Sequence, residues 1–445
     1  MKKFIFLTFS IIFIISLVGI WSIVSKGYDK QNKIIINLKK IIPSKAAKKI
    51  RDTIFFIPNL ENRNKFLEVQ LEKYEQGLNG QLYVEKNYND DDIYNYSLKS
   101  FFLPFRSLDL SLGWKSSKNY KRAHYLEIIE NKVLVISGEG ETIYFERKNI
   151  NNGQLDFKKV SNNLEKILSD RGSELKAIRD LYFEDDFIYI SVFEQKEKKG
   201  YFNIYRAEKN FKNLDFKIFF ENTEYIDGGF NLQTGGRLTG YKLNEILFSV
   251  GFFNDYKAPQ NIDSTFGKII SINKETKDYK VVSMGHRNPQ GLFFSKEKNI
   301  IINTEHGPKG GDEVNFNFLN SSKILNYGWP ISSYGEPYPQ QDKNFFIKSG
   351  FLKKTHSDYN FEEPIKYFTP SIGISEVTFV NNKLYISSLR AESIYIVELS
   401  KDYKINKQKR LKLEGRIRDL KYDNENKVFL ILFENIPSIG VLKFN

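Results

Sequence analysis

Three short blocks near the middle of the chain gather the residues most able to do chemistry: GHRNPQGLFF (285–294), TEHGPKGGDEVNF (304–316) and NYGWP (326–330). They contain His286, Arg287, Asn288, His306, Asp312 and Glu313. These residues do special backbone and charge work, and no other stretch of this Lys-, Asn- and Ile-rich chain is like them. The loop EHGPKGGDE (305–313) sets three glycines and a proline among carboxylates. Glycines let backbone carbonyls turn inward, and Asp312 and Glu313 add hard anionic oxygens. That mix suits Ca²⁺ better than Zn²⁺, which would want more His or Cys. From spacing alone, a tight solvated turn is an equal reading of the loop.

The scaffold that must position these residues is visible as a repeat. A polar turn followed by a β-branched and aromatic strand occurs as ENKVLVISGEG (130–140), EDDFIYISVFE (184–194) and LNEILFSVGFF (243–253). It recurs as EKNIIINTEHG (297–307), NNKLYISSLRA (381–391) and ENKVFLILFEN (425–435). A short apolar strand precedes each copy, and further strands such as TIYFERK (142–148) and SIYIVEL (393–399) follow. A hairpin with a third strand, repeated in this way, predicts an all-β six-bladed β-propeller over residues 111–445. A β-sandwich with similar turns has no reason to repeat one unit.

The repeat also predicts which residues meet. The start of the first strand falls at Glu174, Gln233, Arg287, Ser371 and, one residue off, Arg416. In an antiparallel hairpin the start of the first strand and the end of the second share one end. The loop from Glu305 to Asp312 and the loop with Arg390 therefore face the same cavity. Arg287, Asn288, Arg390, Arg416 and Arg418 are expected to converge there. Arginines gathered at one mouth repel each other unless each pairs locally, with Asp419 or Glu392 for example, or an anion sits among them. The set points to an anionic ligand.

Composition bounds the rest. The 445 residues are 41% hydrophobic, with 38 Phe, 26 Tyr and no Cys, which suits sheets and excludes disulfide and thiolate chemistry. The net charge is +13, but the basic residues are scattered and Arg is scarce, so no nucleic-acid partner is expected. Lys2 and Lys3 precede an uninterrupted apolar run, 4–24, long enough to span a bilayer, with no A-x-A after it. Residues 1–26 are therefore expected to form an uncleaved transmembrane signal anchor. The remainder would then be exported to the periplasmic face of the inner membrane. Residues 27–110 are expected to be a stalk. In it Leu67, Leu71, Tyr74 and Leu78 form a helical stripe that packs on the main domain or on a second copy of the chain, as a homodimer.

The segment from Gly285 to Glu336, with R-N-P-Q-G, E-H-G-P-x-G-G-D-E and N-Y-G-W-P in order, resembles the soluble glucose dehydrogenase and aldose sugar dehydrogenase family. Weaker similarity runs from about His124 to the C-terminus and includes TPSIG (369–373), SLRAESIY (388–395) and GRIRDL (415–420). The resemblance implies a propeller quinoprotein that uses pyrroloquinoline quinone (PQQ) and Ca²⁺ to oxidise a sugar or polyol and passes electrons to a periplasmic acceptor. It assigns Arg287, Asn288, Arg390, Arg416 and Arg418 to PQQ, whose three carboxylates agree with the arginine set. It assigns the carbonyls of Gly307 and Pro308 to the Ca²⁺ at the cofactor, and Asp312, Glu313 and Tyr327 to a second, structural Ca²⁺.

One departure stands out. The family's general-base histidine precedes a G-R-L segment, which here is LQTGGRL (232–238), and the base position falls on Gln233. Glutamine does not titrate and cannot take the proton of a sugar hydroxyl. His124, His306, Glu174 and Asp227 are the other titratable groups expected near the mouth. A propeller of the same descent that has lost catalysis, and binds a carbohydrate, an anion or a protein, is the alternative.

Overall fold

The computed structural model describes residues 82–89, 95–105, 123–228, 233–319, 323–338, 355–413, 415–434 and 437–444. The expected anchor and the stripe from Leu67 to Leu78 lie outside the described residues. No helix among the described residues is long and apolar enough to cross a membrane.

The strands form six sheets. Their first strands, in chain order, are His124–Ile129, Glu174–Glu184, Gly235–Gly240, Pro289–Ser295, Ile374–Val380 and Ile417–Asp423. Each lies against the next, and the last lies against the first, so the six close a ring around an axis. The all-β six-bladed propeller expected from the repeat is the observed fold, and the six repeated units are its six blades.

The ring is closed by strands from both ends of the propeller. Asn95–Phe102 pairs antiparallel with Ser438–Phe444, and Leu82–Asn89 adds outside it. The domain boundary expected at 111 therefore needs correction, since both strands fall in the region read as stalk. Their partner lies more than 300 residues away, so no local hairpin signal marks them. Residues 79–445 form one compact unit that contains them.

The core sits in the seams between blades. In the first blade Leu134 and Ile136 pack toward the second, while Val133 and Val135 pack toward the sixth. Alternate residues of one strand point to opposite faces, so a middle strand must be apolar throughout when both faces are covered. VFLILF, Val428–Phe433, is buried along its whole length for that reason. Each such side chain contributes about 1.5–3 kcal/mol of transfer free energy when buried.

Below the cavity the axis is filled by one side chain. Arg237 of the third blade is buried, and its Nη1 lies 2.8 Å from Asp180 and 3.0 Å from both Glu376 and Asp419. Its Nε donates to the Gln290 carbonyl at 2.6 Å, and its guanidinium lies 4.9 Å from the Tyr125 ring centroid. These partners come from the other five blades, so one guanidinium touches every inner strand. The acids also reach the backbones of neighbouring blades. Asp180 accepts from the Leu238 amide at 2.7 Å, and Asp419 accepts from the Leu126 amide at 2.8 Å.

Candidate active site

Above Arg237 the axis widens into a cavity of about 410 Å³. That lies within the range of small-molecule sites, roughly 300–1,000 Å³. Arg287, Asn288, Arg390, Arg416 and Arg418 all line it, as the blade register predicts, and so do Gln233 and Ser371. Gly307, Pro308, Asp312 and His306 form another part of the wall.

Each arginine is held differently. Arg418 donates from Nη1 to Gln290 and from Nη2 to Glu434, both at 2.9 Å. Arg416 lies 3.7 Å from the same Glu434 carboxylate. Burial opposes ionisation of Glu434, but Arg418 and Arg416 outweigh it and hold the carboxyl below the usual carboxylate range. Arg287 donates to the His306 carbonyl at 3.0 Å and lies 5.2 Å from the Trp329 ring centroid. No carboxylate pairs with its guanidinium among the described residues, and burial pushes its pKa down to about 10. Arg390 is exposed. Asn288 accepts from the Gly235 amide at 3.1 Å and from Gln290 at 3.0 Å, which leaves its amide NH₂ as the group able to reach a ligand.

The cavity has a marked charge excess, with five arginines on its wall and only Asp312 and Glu434 as carboxylates. Nε of Arg287, Nε of Arg418 and Oγ of Ser371 are buried with no hydrogen-bond partner among the described residues. Buried donors left in this state cost about 1–3 kcal/mol each, so a ligand bearing several acceptors fits the wall.

The fifth arginine, Arg179, was missed in the sequence, where Glu174 was expected at this place. The first strand of the second blade carries two register shifts, between Leu175 and Ala177 and between Ile178 and Asp180. These carry Arg179 to the cavity wall. Glu174 is exposed and pairs with Lys176 at 2.7 Å, and it is not part of the wall. Asp227 is exposed on a short strand beside Lys199–Glu208. His124 is buried against Phe105, with ring centroids 5.0 Å apart. Neither Asp227 nor His124 lines the cavity.

His306 does line the cavity. Its Nε2 lies 2.6 Å from the Ile374 carbonyl, which fixes Nε2 as the protonated nitrogen of the neutral ring, and burial holds its pKa below the ordinary value. The loop it opens depends on glycine. A Cβ on Gly307 would come within 2.0 Å of the Gly311 carbonyl oxygen, and Gly311 itself has φ of +67°. Gly307 and Pro308 thus set this tight turn at the cavity edge.

Asp312 and Glu313, assigned by resemblance to one structural Ca²⁺, are adjacent on a strand and so point to opposite faces. Asp312 faces the main cavity and accepts from the amides of Gly373 at 2.7 Å and Ile374 at 3.0 Å. Glu313 faces an adjoining space of about 10 Å³, room for roughly one water. There it meets His356 Nε2 at 3.2 Å. Tyr327 is buried, with its hydroxyl donating to the Phe316 carbonyl at 2.9 Å and its ring stacked on His286. No three His, Asp or Glu side chains among the described residues are grouped to hold a metal. Asp312 and Glu313 thus open onto different spaces, and Tyr327 lines the smaller one with Glu313.

The carboxylate of Glu313 is answered by an imidazole. Burial works against protonation of His356, but Glu313 outweighs it and holds the pKa above its ordinary value. His356→Ala should lower stability by about 1–3 kcal/mol, the usual consequence of leaving a buried acceptor unpaired. The urea midpoint of His356→Gln, which keeps a donor, should lie between wild type and alanine.

The family profile for Glucose / Sorbosone dehydrogenase matches residues 174–436, more than half of the chain. Aldose sugar dehydrogenase YliI of Escherichia coli is 25% identical over 250 residues, which are 50% of this chain and 63% of that protein. A crystal structure of a glucose dehydrogenase aligns with a TM-score of 0.59 and 21% identity, over 73% of this chain and 96% of its own. The PQQ-bound form of an aldose sugar dehydrogenase from Streptomyces coelicolor aligns with a TM-score of 0.53 and 18% identity, over 78% and 98%. At those identities the solved structures speak for the propeller.

Proposed function

The chain belongs to the glucose/sorbosone dehydrogenase family, and from that premise we propose that it binds PQQ, with Ca²⁺, in the arginine-lined cavity and oxidises a sugar or polyol there. The observation that carries this reading is the charge excess of the cavity together with the unpartnered buried Nε atoms of Arg287 and Arg418. An aromatic tricarboxylate answers both. Arg390, Arg416 and Arg418 would hold its carboxylates, and Arg287 with the NH₂ of Asn288 would address its other edge. Gly307 and Pro308 would give backbone oxygens to the Ca²⁺. The protein offers few further oxygens there, so the ligand and water would complete the shell.

When bound, the quinone supplies the acceptor for a hydride. The chain's own part is to orient the sugar hydroxyl, exclude water and receive a proton. Gln233 stands on the wall and can hold the hydroxyl by hydrogen bonding, but it cannot take the proton. Turnover is therefore expected to be slow, with the proton leaving through water. The same residue favours the second reading, a propeller that keeps an anionic ligand and has lost catalysis.

Lys2, Lys3 and the apolar run 4–24 support an anchored, exported enzyme that delivers electrons to a periplasmic acceptor. Arg416→Ala tests the cofactor assignment. Arg416 is partly exposed and reaches Glu434 only at 3.7 Å, so the fold should tolerate its loss. PQQ affinity should fall by about ten- to a hundredfold, the weight of one charge-assisted contact. Unchanged affinity in a fluorescence-quenching titration would remove Arg416 from the site.

A further inference from the structure

Arg179 is the arginine that the resemblance does not assign, and its setting is unusual. More than nine-tenths of the residue is buried, yet it forms part of the cavity wall. Its one hydrogen bond among the described residues is a long one, from Nε to the Gly235 carbonyl at 3.4 Å, and no carboxylate lies within ion-pair distance. The chain makes room for it: a Cβ on Gly236 would come within 2.4 Å of the Arg179 Cβ. Burial disfavours its charge most, Arg418 and Arg237 add to that, and the Tyr125 hydroxyl and Glu434 only partly offset it. A desolvated guanidinium without a counter-ion is costly, and a ligand anion removes that cost.

Its place around the ring says which ligand. Arg287 belongs to the fourth blade, Arg390 to the fifth, and Arg416 and Arg418 to the sixth. Arg179 is on the second blade, opposite the fifth; its contacts on the third blade are Gly235 and Gly236, just after Gln233, which lines the same cavity. A tricarboxylate held by blades four to six leaves Arg179 beside the residue that would face the reacting hydroxyl.

We propose that Arg179 forms an anion subsite for the substrate, so that the cavity selects a polyol or sugar bearing one acidic group, a carboxylate or a phosphate, over a neutral sugar. The assignment to substrate rests on the PQQ reading; the presence of an anion subsite does not. A carboxylate and a phosphate would engage the guanidinium alike, through paired N–H donors.

The test is calorimetric titration of the full chain, both apo and loaded with PQQ and Ca²⁺, with glucose, glucuronate and glucose 6-phosphate. Wild type, Arg179→Met and Arg179→Lys are compared. The expected result is that at least one acidic sugar binds wild type ten times or more tightly than glucose. Arg179→Met should bring that preference within twofold without weakening glucose, and Arg179→Lys should keep part of it. The relative strength of glucuronate and glucose 6-phosphate identifies the acidic group. Equal binding of neutral and acidic sugars by wild type would overturn the proposal. So would a preference that survives Arg179→Met, or a tenfold loss of PQQ affinity in that variant with the sugar preference intact, which would give Arg179 to the cofactor. Failure of PQQ to bind wild type would defeat the dehydrogenase reading instead, and the apo titrations would still decide the subsite.

Discussion

Arg237→Leu should lose about 3–5 kcal/mol of folding stability, the range found when one partner of a buried ion pair is removed. The side chain carries the only positive charge within 4 Å of Asp180, Glu376 and Asp419 among the described residues. All four residues are buried. Burial already pushes the Glu376 carboxyl up to about 8, even with the guanidinium in place. Without it, the acids must protonate or draw water into the axis. Since each carries hydrogen bonds between blades, the ring itself loosens. Chemical denaturation followed by tryptophan fluorescence measures this directly. A midpoint within experimental error of wild type would mean that the axis is not held by Arg237.

Gln233→His should raise sugar oxidation by roughly 10²–10⁴-fold, the usual contribution of a positioned general base. The position is on the cavity wall, and its backbone is set by a hydrogen bond from the Phe253 amide to its carbonyl at 3.3 Å. The backbone is therefore in place and only the side chain lacks function. The gain should appear in kcat more than in KM, because glutamine can already bind the hydroxyl. No gain in the PQQ-loaded variant would mean that the pocket has diverged beyond this one residue.

The parts of this molecule that could be read from its sequence are those whose signal is local. A turn followed by a two-sided apolar strand marks every blade, because each middle strand is covered on both faces and must be apolar along its length. The arginines at 287, 390, 416 and 418 followed from counting along equivalent hairpins. The closing strands, Leu82–Asn89 and Asn95–Phe102, did not, since what fixes them is pairing with the far end of the chain. Even so, Tyr96 and Leu98 are buried while Asn95, Ser97 and Lys99 are less so, a short alternation the sequence carried.

Arg179 escaped because two bulges break the counting that worked in the other blades. The opposed directions of Asp312 and Glu313 were legible once a strand was placed there. His356, by contrast, comes from a stretch with no motif, and its place is seen only from its contacts with Glu313 and Ser332. Arg237 was noted only as part of a G-R-L pattern. Its role as the residue joining all six blades needs the ring to be closed before it can be seen.

The most direct test of the account is a spectroscopic titration of the full chain with PQQ in the presence of Ca²⁺, followed by a panel of neutral and acidic sugars while the quinone absorbance is recorded. The account predicts saturable binding of PQQ, followed by slow reduction by at least one sugar. No saturable binding of PQQ would contradict it.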